Sequence, residues 1–256
     1  MTARARLGRL VPYPLRVKVR ALLEGTRLDP SDVGRVRAVT ADQWRTIGER
    51  APRYVDAYWD GVDDPAADTP AKRRSEWLAG LDVFGGAGSV LELGCNVGRN
   101  LWMLKRRHPD LAVAGVDINP EAVALAKQRV GGDLFVGDLY DLTATLGART
   151  ADVVFTMGVL IHLHPDTLPA LLREMARRAR RAVVLVEQVS GDNRVVKGPA
   201  SWNPERRVTG EYIQWSPDLP GMLRALGLPF TIAAVPPDCQ SNGARHLLIV
   251  PRGAGR

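Results

Sequence analysis

The sequence predicts an α/β fold in which a seven-stranded, mostly parallel sheet follows an N-terminal helical cap. From residue 89 onward, short apolar runs alternate with segments of helical periodicity, as in parallel strands joined by crossover helices. A glycine-containing turn joins the first of these strands to its helix. The last two of seven strand-like runs follow each other directly, which favours a closing hairpin-like pair over a six-stranded dinucleotide-binding plan.

Residues 1–80 are predicted to form the helical cap, and residues 81–256 the ligand-binding domain. Residues 7–23 mix apolar and basic side chains around two prolines, which indicates a short amphipathic helix after a turn. Aromatic residues recur at roughly helical spacing in 40–60, and another helix is predicted over 71–81. A loop is predicted over 61–70, and residues 1–80 are therefore interpreted as a helical cap.

The ligand-binding domain supplies every strand of the predicted sheet. Strands are predicted over residues 90–93, 112–118, 134–137, 152–157, 182–189, 230–235 and 246–250. Helices are predicted over residues 98–107, 120–130, 165–180 and 217–226. The stretch 190–211 contains Arg, Gly and Pro and is predicted to be irregular.

Composition excludes several classes of protein. Only two cysteines occur, Cys95 and Cys239, and they form no CxxC or Cys/His cluster, so neither a disulfide framework nor a structural zinc site is expected. No apolar run reaches the roughly 20 residues that span a bilayer, and the N-terminus lacks the apolar core of a secretory signal. We therefore expect a cytoplasmic protein; the sequence does not predict an oligomeric state.

The positive charge is concentrated at the N-terminus. Residues 1–37 hold nine Arg or Lys residues against three acidic ones, and so carry +6 of the formal charge of +7. Such an arm could contact nucleic acid, an acidic partner or, weakly, an anionic membrane surface. The alternative is a solvated basic helix that lies over the second domain.

The strongest local signal is the segment 90–100, which lies between a predicted strand and a predicted helix. Gly94 and Gly98 allow a sharp turn and a close approach of a ligand to the main chain. Asp117 follows Gly98 by nineteen residues, at the end of the second predicted strand. A carboxylate there is placed to accept hydrogen bonds from both hydroxyls of a ribose.

These residues resemble the first motif of the class I S-adenosylmethionine-dependent methyltransferase family, which has a Rossmann-like fold. The motif reads acid-x-Gly-x-Gly-x-Gly and is matched by Glu92, Gly94 and Gly98, whereas Asn96 replaces the middle glycine. The resemblance covers residues 86–252 and implies S-adenosylmethionine as the cofactor. It implies that residues along four motifs bind that cofactor: Glu92, Gly94, Cys95, Asn96, Gly98, Asp117, Ile118, Asp138, Leu139, Thr156 and Met157.

Two of these assignments have structural alternatives. Asp138 is implied to accept from the adenine amino group, but it could instead cap a helix N-terminus. Glu92 could be a structural acid near the loop.

Two further cofactor contacts are expected outside the motifs. Arg99 could pair with the cofactor carboxylate, or be exposed, and Tyr58 with its aromatic neighbours could enclose the sulfonium, or simply pack between helices.

Candidate catalytic groups follow the fourth and fifth strands. His162 is predicted to take a proton from the acceptor, since a histidine pKa lies near neutrality. His164 is expected to contact the acceptor or to cap the next helix. Glu187 is a second proton acceptor, with a structural role as its alternative. The HxH spacing of the histidines would also suit a metal, but no third ligand is evident, so no metal is predicted.

The stretch after the fifth strand is predicted to cover the acceptor. Trp202 and Trp215 supply aromatic surface, while Arg206 and Arg207 supply cations that favour phosphate or carboxylate groups. We therefore expect an acceptor with an anionic handle and a flat or apolar body. The alternative is a solvated surface loop.

Three functions compete at this point. The first is O- or N-methylation of a small molecule, a sugar or a carrier-linked biosynthetic intermediate. Methylation of nucleic acid is less consistent, because residues 156–159 lack the Asn/Asp-Pro-Pro-aromatic signature of base-amino methylation. The third is a methyltransferase-like fold that binds its substrate without methylating it, or that catalyses a reaction such as cyclisation.

Overall fold

The computed structural model of the protein describes residues 29–47, 54–197, 201–203, 208–210, 213–240 and 246–251. The predicted amphipathic helix over 7–23 and most of the basic arm lie outside the described residues, as do Arg206 and Arg207. In the described part, no helix combines the length and the apolar composition that crossing a membrane requires.

Eight α-helices and eleven strands are found among the described residues. The helices are α1 Val33–Arg45, α2 Tyr54–Trp59, α3 Pro70–Ala79, α4 Arg99–Arg107, α5 Pro120–Val130, α6 Leu142–Leu146, α7 Leu168–Arg178 and α8 Leu219–Ala225. The first five strands are β1 Ser89–Leu93, β2 Ala112–Asp117, β3 Asp133–Val136, β4 Ala151–Met157 and β5 Ala179–Glu187. The others are β6 Arg194–Lys197, β7 Ser201–Asn203, β8 Val208–Gly210, β9 Gln214–Ser216, β10 Thr231–Ala234 and β11 His246–Pro251.

Seven of the strands form one sheet in the order β10-β11-β5-β4-β1-β2-β3. Strands β1 to β5 pair in parallel, and β11 runs antiparallel to both β5 and β10. The predicted Rossmann-like sheet with a closing pair is therefore confirmed. The strand order reverses between β1 and β4, and ligands of open α/β sheets bind in the crevice beyond the carboxyl ends of the strands at such a point.

Two hydrophobic clusters cover the two faces of this sheet. Val90 and Phe155 point to one face, where α4 and α5 pack, and Leu91 and Val154 point to the other, where α7 and α8 pack. The alternation follows from the period of two along a strand. Because both faces are covered, the central strands read as nearly continuous apolar runs.

The N-terminal helices pack directly against these layers. Trp59 of α2 and Leu78 of α3 belong to the same cluster as Val90. Helix α1 lies elsewhere, since its Val36 packs with Ile213 and Trp215 at β9. The division at residue 80 stays a prediction.

The prediction of irregular structure over 190–211 is wrong where that stretch is described. β6 pairs with β9, and β7 pairs with β8, as two separate two-stranded antiparallel sheets. Strands of three or four residues are too short to produce a clear alternation of polar and apolar residues, which explains why the sequence pattern did not indicate them.

The helix predicted over 165–180 is shorter than expected. It begins as a 3₁₀ turn, Pro165–Thr167, and the chain is already in β5 at Ala179. The two basic residues Arg180 and Arg181 suggest helix continuation by sequence, but they form ion-pair and hydrogen-bond contacts at the start of the strand.

Candidate functional site

The turn after β1 has a backbone conformation that explains its residue types. Gly94, Asn96 and Gly98 all have positive φ, at 77°, 49° and 78°. Asparagine tolerates this left-handed region better than other residues with a Cβ, so Asn96 preserves the turn although it replaces the usual glycine. The amides of Gly94 and Cys95 both donate to the Val116 carbonyl, at 2.8 and 3.1 Å, and hold the turn against β2.

Gly94 and Gly98 are also closely packed against neighbouring protein atoms, which leave no room for a Cβ. A Cβ at Gly98 would lie 2.7 Å from Val130 and 3.1 Å from Ala126 of α5. A Cβ at Gly94 would lie 2.5 Å from the side chain of Val159, in the loop after β4. The predicted reason for these glycines was close approach of a ligand, and the structure adds the close packing of helix and loop.

Alanine at position 98 is expected to destabilise the protein by about 2 kcal/mol, because overpacking adds to the strain of a positive φ. Gly86→Ala is the matched control, since Gly86 also has a positive φ, 63°, but a Cβ there would meet nothing within 4 Å. Urea unfolding of both variants measures the difference. Equal losses of stability would mean that packing against α5 contributes nothing.

Asp117 lies at the end of β2, at the crevice beyond the carboxyl ends of the strands. Its Oδ2 accepts from the Asn96 amide at 2.8 Å, and its Oδ1 accepts from the Asn119 amide at 2.9 Å. Burial raises the pKa of Asp117, although these backbone hydrogen bonds oppose that effect. Each carboxylate oxygen has a second lone pair, so the group can still accept from two ribose hydroxyls. Ile118, the implied adenine contact, follows directly and is half-buried.

Asp138 takes the alternative role that the sequence left open. Its Oδ1 accepts from the Tyr140 amide at 2.9 Å and so caps a 3₁₀ turn that begins at Leu139. Its Oδ2 lies 3.3 Å from the Arg37 guanidinium, which also sits 4.3 Å above the Tyr140 ring. Helix α1 therefore reaches over the side of the crevice where the resemblance places adenine.

Glu187, at the end of β5, is fully buried. Its two carboxylate oxygens accept from the Val159 amide at 3.0 Å and the Leu160 amide at 3.2 Å. This geometry favours the structural alternative over proton transfer: Glu187 holds the loop that follows β4. That loop begins after Thr156 and Met157, the implied neighbours of the methionine end of the cofactor.

Several buried polar atoms around the crevice have no protein partner. Among the described residues, these atoms include Glu92 Oε2, Asn96 Oδ1, Asn119 Nδ2 and Thr156 Oγ1. Buried polar groups are nearly always hydrogen-bonded in native proteins, so such a group of atoms indicates a polar ligand. A nucleoside carrying an amino acid offers donors and acceptors that suit both the acidic and the amide groups. The residues present therefore fit S-adenosylmethionine.

The two histidines after β4 differ in their surroundings. His162 is half-buried, and its ring meets Trp44 of α1 edge-on, with centroids 4.6 Å apart. His164 is buried: its Nδ1 accepts from the Asp166 amide at 3.2 Å, while its Nε2 lies 2.9 Å from the Pro30 carbonyl. Because both ring nitrogens of His164 are engaged, its predicted capping role is confirmed, and His162 stays the candidate base. In the described parts of the chain, no three His, Cys, Asp or Glu residues group as a metal site.

Aromatic side chains of the cap line the approach to the turn after β1. Tyr54 and Tyr58 pack with ring centroids 4.6 Å apart, and Trp44 lies 6.0 Å from Tyr54. The Asn96 side-chain amide donates to the Tyr54 hydroxyl at 3.3 Å. Trp59 instead packs against Trp102, which agrees with the alternative that the aromatic residues of the cap pack between helices. The cap thus touches the cofactor loop itself through Tyr54.

Two other predicted contacts have different surroundings from those expected. Arg99 is half-buried and donates to Ser75 Oγ at 3.1 Å and to the Tyr58 carbonyl at 2.9 Å, so it joins the cap to α4. Trp215 is buried against α1 and the His164 ring, with ring centroids 4.9 Å apart. Trp202 lies on β7, and only its backbone is described.

Sequence reasoning missed three polar residues of the site, Arg37, Ser75 and Asn100. Ser75 and Asn100 lie on the buried sides of α3 and α4, where a polar residue at an apolar position of a helical repeat is the available signal. Arg37 gave no signal, because exposed arginines are common in this sequence and its partners are about 100 residues away.

Comparison with known families adds an independent finding. The profile of a family described as a methyltransferase domain matches residues 90–182, the segment that contains the turn after β1 and strands β2 to β4. A trans-aconitate 2-methyltransferase from Methylobacterium nodulans is 29% identical over 147 residues, which cover 57% of this chain and 53% of that protein. The chain thus aligns with about half the length of this relative.

Solved structures share the fold over a longer part of the chain. An O-methyltransferase family protein from Burkholderia thailandensis superposes with a TM-score of 0.62 and 21% identity, covering 84% of this chain and 64% of that one. The magnesium protoporphyrin IX methyltransferase of Synechocystis PCC 6803 with bound S-adenosylmethionine gives a TM-score of 0.55 and 16% identity, covering 85% and 97%.

Proposed function

We propose that the chain is a class I, S-adenosylmethionine-dependent methyltransferase that methylates an oxygen or nitrogen of a small or carrier-linked acceptor. Residues 90–182 match a family described as a methyltransferase domain, and the fold is shared with a solved O-methyltransferase family protein, which supports the proposal. The observation that carries the proposal is the set of buried polar atoms without partners around Asp117 and the turn after β1. These atoms belong to residues of β1, β4, the turn after β1 and the start of α5, and their chemistry suits the ribose and amino acid parts of this cofactor.

The residues of the crevice would divide the cofactor between them. Asp117 holds the ribose, and Glu92 with Thr156 meets the methionine end. Leu139 would meet the adenine on the far side, next to Asp138, whose carboxylate caps the 3₁₀ turn and pairs with Arg37. When bound, S-adenosylmethionine supplies a methyl group on an already activated sulfonium, so alignment and exclusion of water do most of the catalysis. Trp44, Tyr54 and Tyr58 exclude water and present aromatic faces toward a cation.

His162 would handle the proton of the acceptor. A ring nitrogen would accept the proton of an acceptor O–H or N–H while that oxygen or nitrogen takes up the methyl group that the cofactor would supply. Glu187 keeps the Val159 and Leu160 amides in place, and so fixes the loop that leads to His162. We assign it a positioning role in place of the predicted proton transfer.

The acceptor is proposed to be a small anionic molecule. Two observations support this. Arg206 and Arg207 are cations in the stretch predicted to cover the acceptor, and the chain is similar to a relative named for its action on trans-aconitate, a small carboxylate. Incubation with methyl-labelled S-adenosylmethionine and a panel of carboxylate, phosphate and neutral acceptors tests the proposal. Label should pass to anionic members of the panel. Cofactor binding without transfer to any acceptor would favour the non-methylating alternative.

Replacing Arg206 and Arg207 together by alanine is expected to raise the Michaelis constant of an anionic acceptor about tenfold, because charge-assisted hydrogen bonds are lost. The wild type should also show a salt dependence that the double variant lacks. Arg180 and Arg181 provide the control pair. They lie at the amino end of β5, whereas the acceptor is expected at the carboxyl ends of the strands. Identical Michaelis constants across a salt series in all three proteins would assign the acceptor contact elsewhere.

A further inference from the structure

Four polar side chains form a hydrogen-bonded chain that links the helical cap, through Ser75, to Glu92 of the first motif. Arg99 Nε lies 3.1 Å from Ser75 Oγ, and Ser75 Oγ lies 2.8 Å from Asn100 Oδ1. Asn100 Nδ2 in turn lies 2.7 Å from Glu92 Oε1. Ser75, Asn100 and Glu92 are all buried, with Glu92 only 1% exposed. The contacts therefore form inside the protein, where hydrogen bonds are electrostatically stronger than in water.

The direction of every hydrogen bond in this chain is fixed by its chemistry. An arginine can only donate, so Ser75 Oγ accepts from it and must use its own hydrogen toward Asn100. The Asn100 carbonyl oxygen accepts that hydrogen, which leaves the Asn100 amide to donate to Glu92. Successive donors polarise one another, and all of them point toward the Glu92 carboxylate.

The far oxygen of Glu92 is the end point of the chain. Among the described residues, Glu92 Oε2 has no hydrogen-bond partner although it is buried. Burial raises the pKa of Glu92 to about 8, while the Asn100 hydrogen bond and the Arg99 charge lower it and the Asp117 carboxylate raises it. The Cys95 thiol, whose own pKa burial raises, is the other titratable group that interacts with it. Asn100 and Arg99 therefore favour the ionised form of Glu92, against the larger effect of burial.

We propose that Ser75 and Asn100 are positioning residues for the cofactor, which aim the Glu92 carboxylate and stabilise its ionised form for the ammonium of the methionine end. The inference rests on the proposed function and deepens it. Since Arg99 also donates to the Tyr58 carbonyl at 2.9 Å, the same chain makes cofactor binding depend on the packing of α2 and α3. Ser75 and Asn100 would act through Glu92, the residue to which the Asn100 amide donates.

Calorimetric titration with S-adenosylhomocysteine provides the wild-type reference. A carboxyl group with a raised pKa is mostly protonated at about pH 7, so a cation that needs its ionised form drives off a proton. Binding should therefore release up to about one proton at about pH 7, which appears as a dependence of the heat on the buffer. Affinity should rise with pH and level off above about pH 8.

The Asn100→Ala variant should bind about tenfold more weakly at about pH 7, because the direct hydrogen bond to the carboxylate is lost. Its proton release should move to higher pH, and most of the lost affinity should return there. Ser75→Ala should shift the profile in the same direction by less, and Ser75→Thr, which keeps the hydroxyl, should restore it. Ser216→Ala, at another buried serine, is the control, and melting temperatures check that each variant folds.

The outcomes separate the inference from the proposed function. A wild type that binds no S-adenosylhomocysteine contradicts the proposed function. A wild type that binds, with folded Ser75 and Asn100 variants whose pH profiles match it, overturns only the positioning role. A loss of affinity that is equal at every pH also overturns it, because a general disturbance of the site would not follow the ionisation of one carboxyl group.

Discussion

Replacing His162 by alanine is expected to lower turnover roughly a hundredfold, within the usual range for a positioned proton acceptor. The histidine follows β4 at the carboxyl edge of the sheet, beside the point where the strand order reverses. Its ring is half-buried and packed edge-on against Trp44, which holds it in one orientation. Because His162 is proposed to act on the acceptor and not on the cofactor, affinity for S-adenosylhomocysteine should change little.

The control for this variant is His108→Ala. His108 follows α4 and contacts the Ala79 carbonyl at 3.1 Å, so its loss tests the general cost of removing a half-buried imidazole. Steady-state rates over a range of pH measure both variants. Full activity of His162→Ala at every pH would show that His162 is not the base. Catalysis would then rest on alignment of the reactants, which is sufficient for a carboxylate acceptor because it has no proton to lose.

The Asp117→Ala variant is expected to bind the cofactor at least tenfold more weakly. A charge-assisted hydrogen bond contributes about 1.5 to 3 kcal/mol, and this carboxylate is placed to accept two from a ribose. The structure adds a second cost, since Asp117 also holds the amides of Asn96 and Asn119. Removing it loosens the turn after β1 as well as the ribose contact.

The matched control is Asp133→Ala, at the start of β3, where an exposed aspartate pairs with Arg149 at 2.7 Å. Exposed ion pairs contribute little, so this variant should bind as the wild type does. Calorimetry on the two variants and the wild type makes the comparison. An unchanged affinity in Asp117→Ala would exclude that carboxylate from the cofactor site.

Most of the fold could be predicted because the sheet has strong local signals. Buried strands such as β1 and β5 read as apolar runs, and helices such as α4 and α5 follow recognisable turns or N-caps. Asn119, for example, caps α5 and precedes Pro120 at its first position. The small sheets formed by β6 to β9 have no such signal, since their strands are short and their pairing is not local.

The sequence predicted those parts of the site in which the residue type and its position in the motif allow only one role. The positive φ at Gly94 and Gly98 and the position of Asp117 follow from the motif. The roles of Glu187 and Asp138 do not, because a carboxylate at a strand end can accept from a ligand or from a backbone amide. Here Glu187 accepts from the Val159 and Leu160 amides, a contact that no spacing in the sequence reveals.

Contacts between the cap and the crevice were the least accessible from sequence. Arg37 reaches Asp138 and Tyr140 from α1, and Arg99 reaches Ser75 from α4. These pairs join segments that lie far apart in the chain, so their meeting depends on how the layers pack. The aromatic residues of the cap were expected at the crevice as one option, and the Tyr54 contact to Asn96 supports that option.

Calorimetric titration of the full chain with S-adenosylmethionine tests the central claim most directly. We expect one site per chain with micromolar affinity, about 8 kcal/mol, and competition by S-adenosylhomocysteine for the same site. Both ligands should also raise the melting temperature, since they bind only the folded protein. The absence of binding heat and of any thermal shift at millimolar cofactor would contradict the assignment of the crevice as a cofactor site.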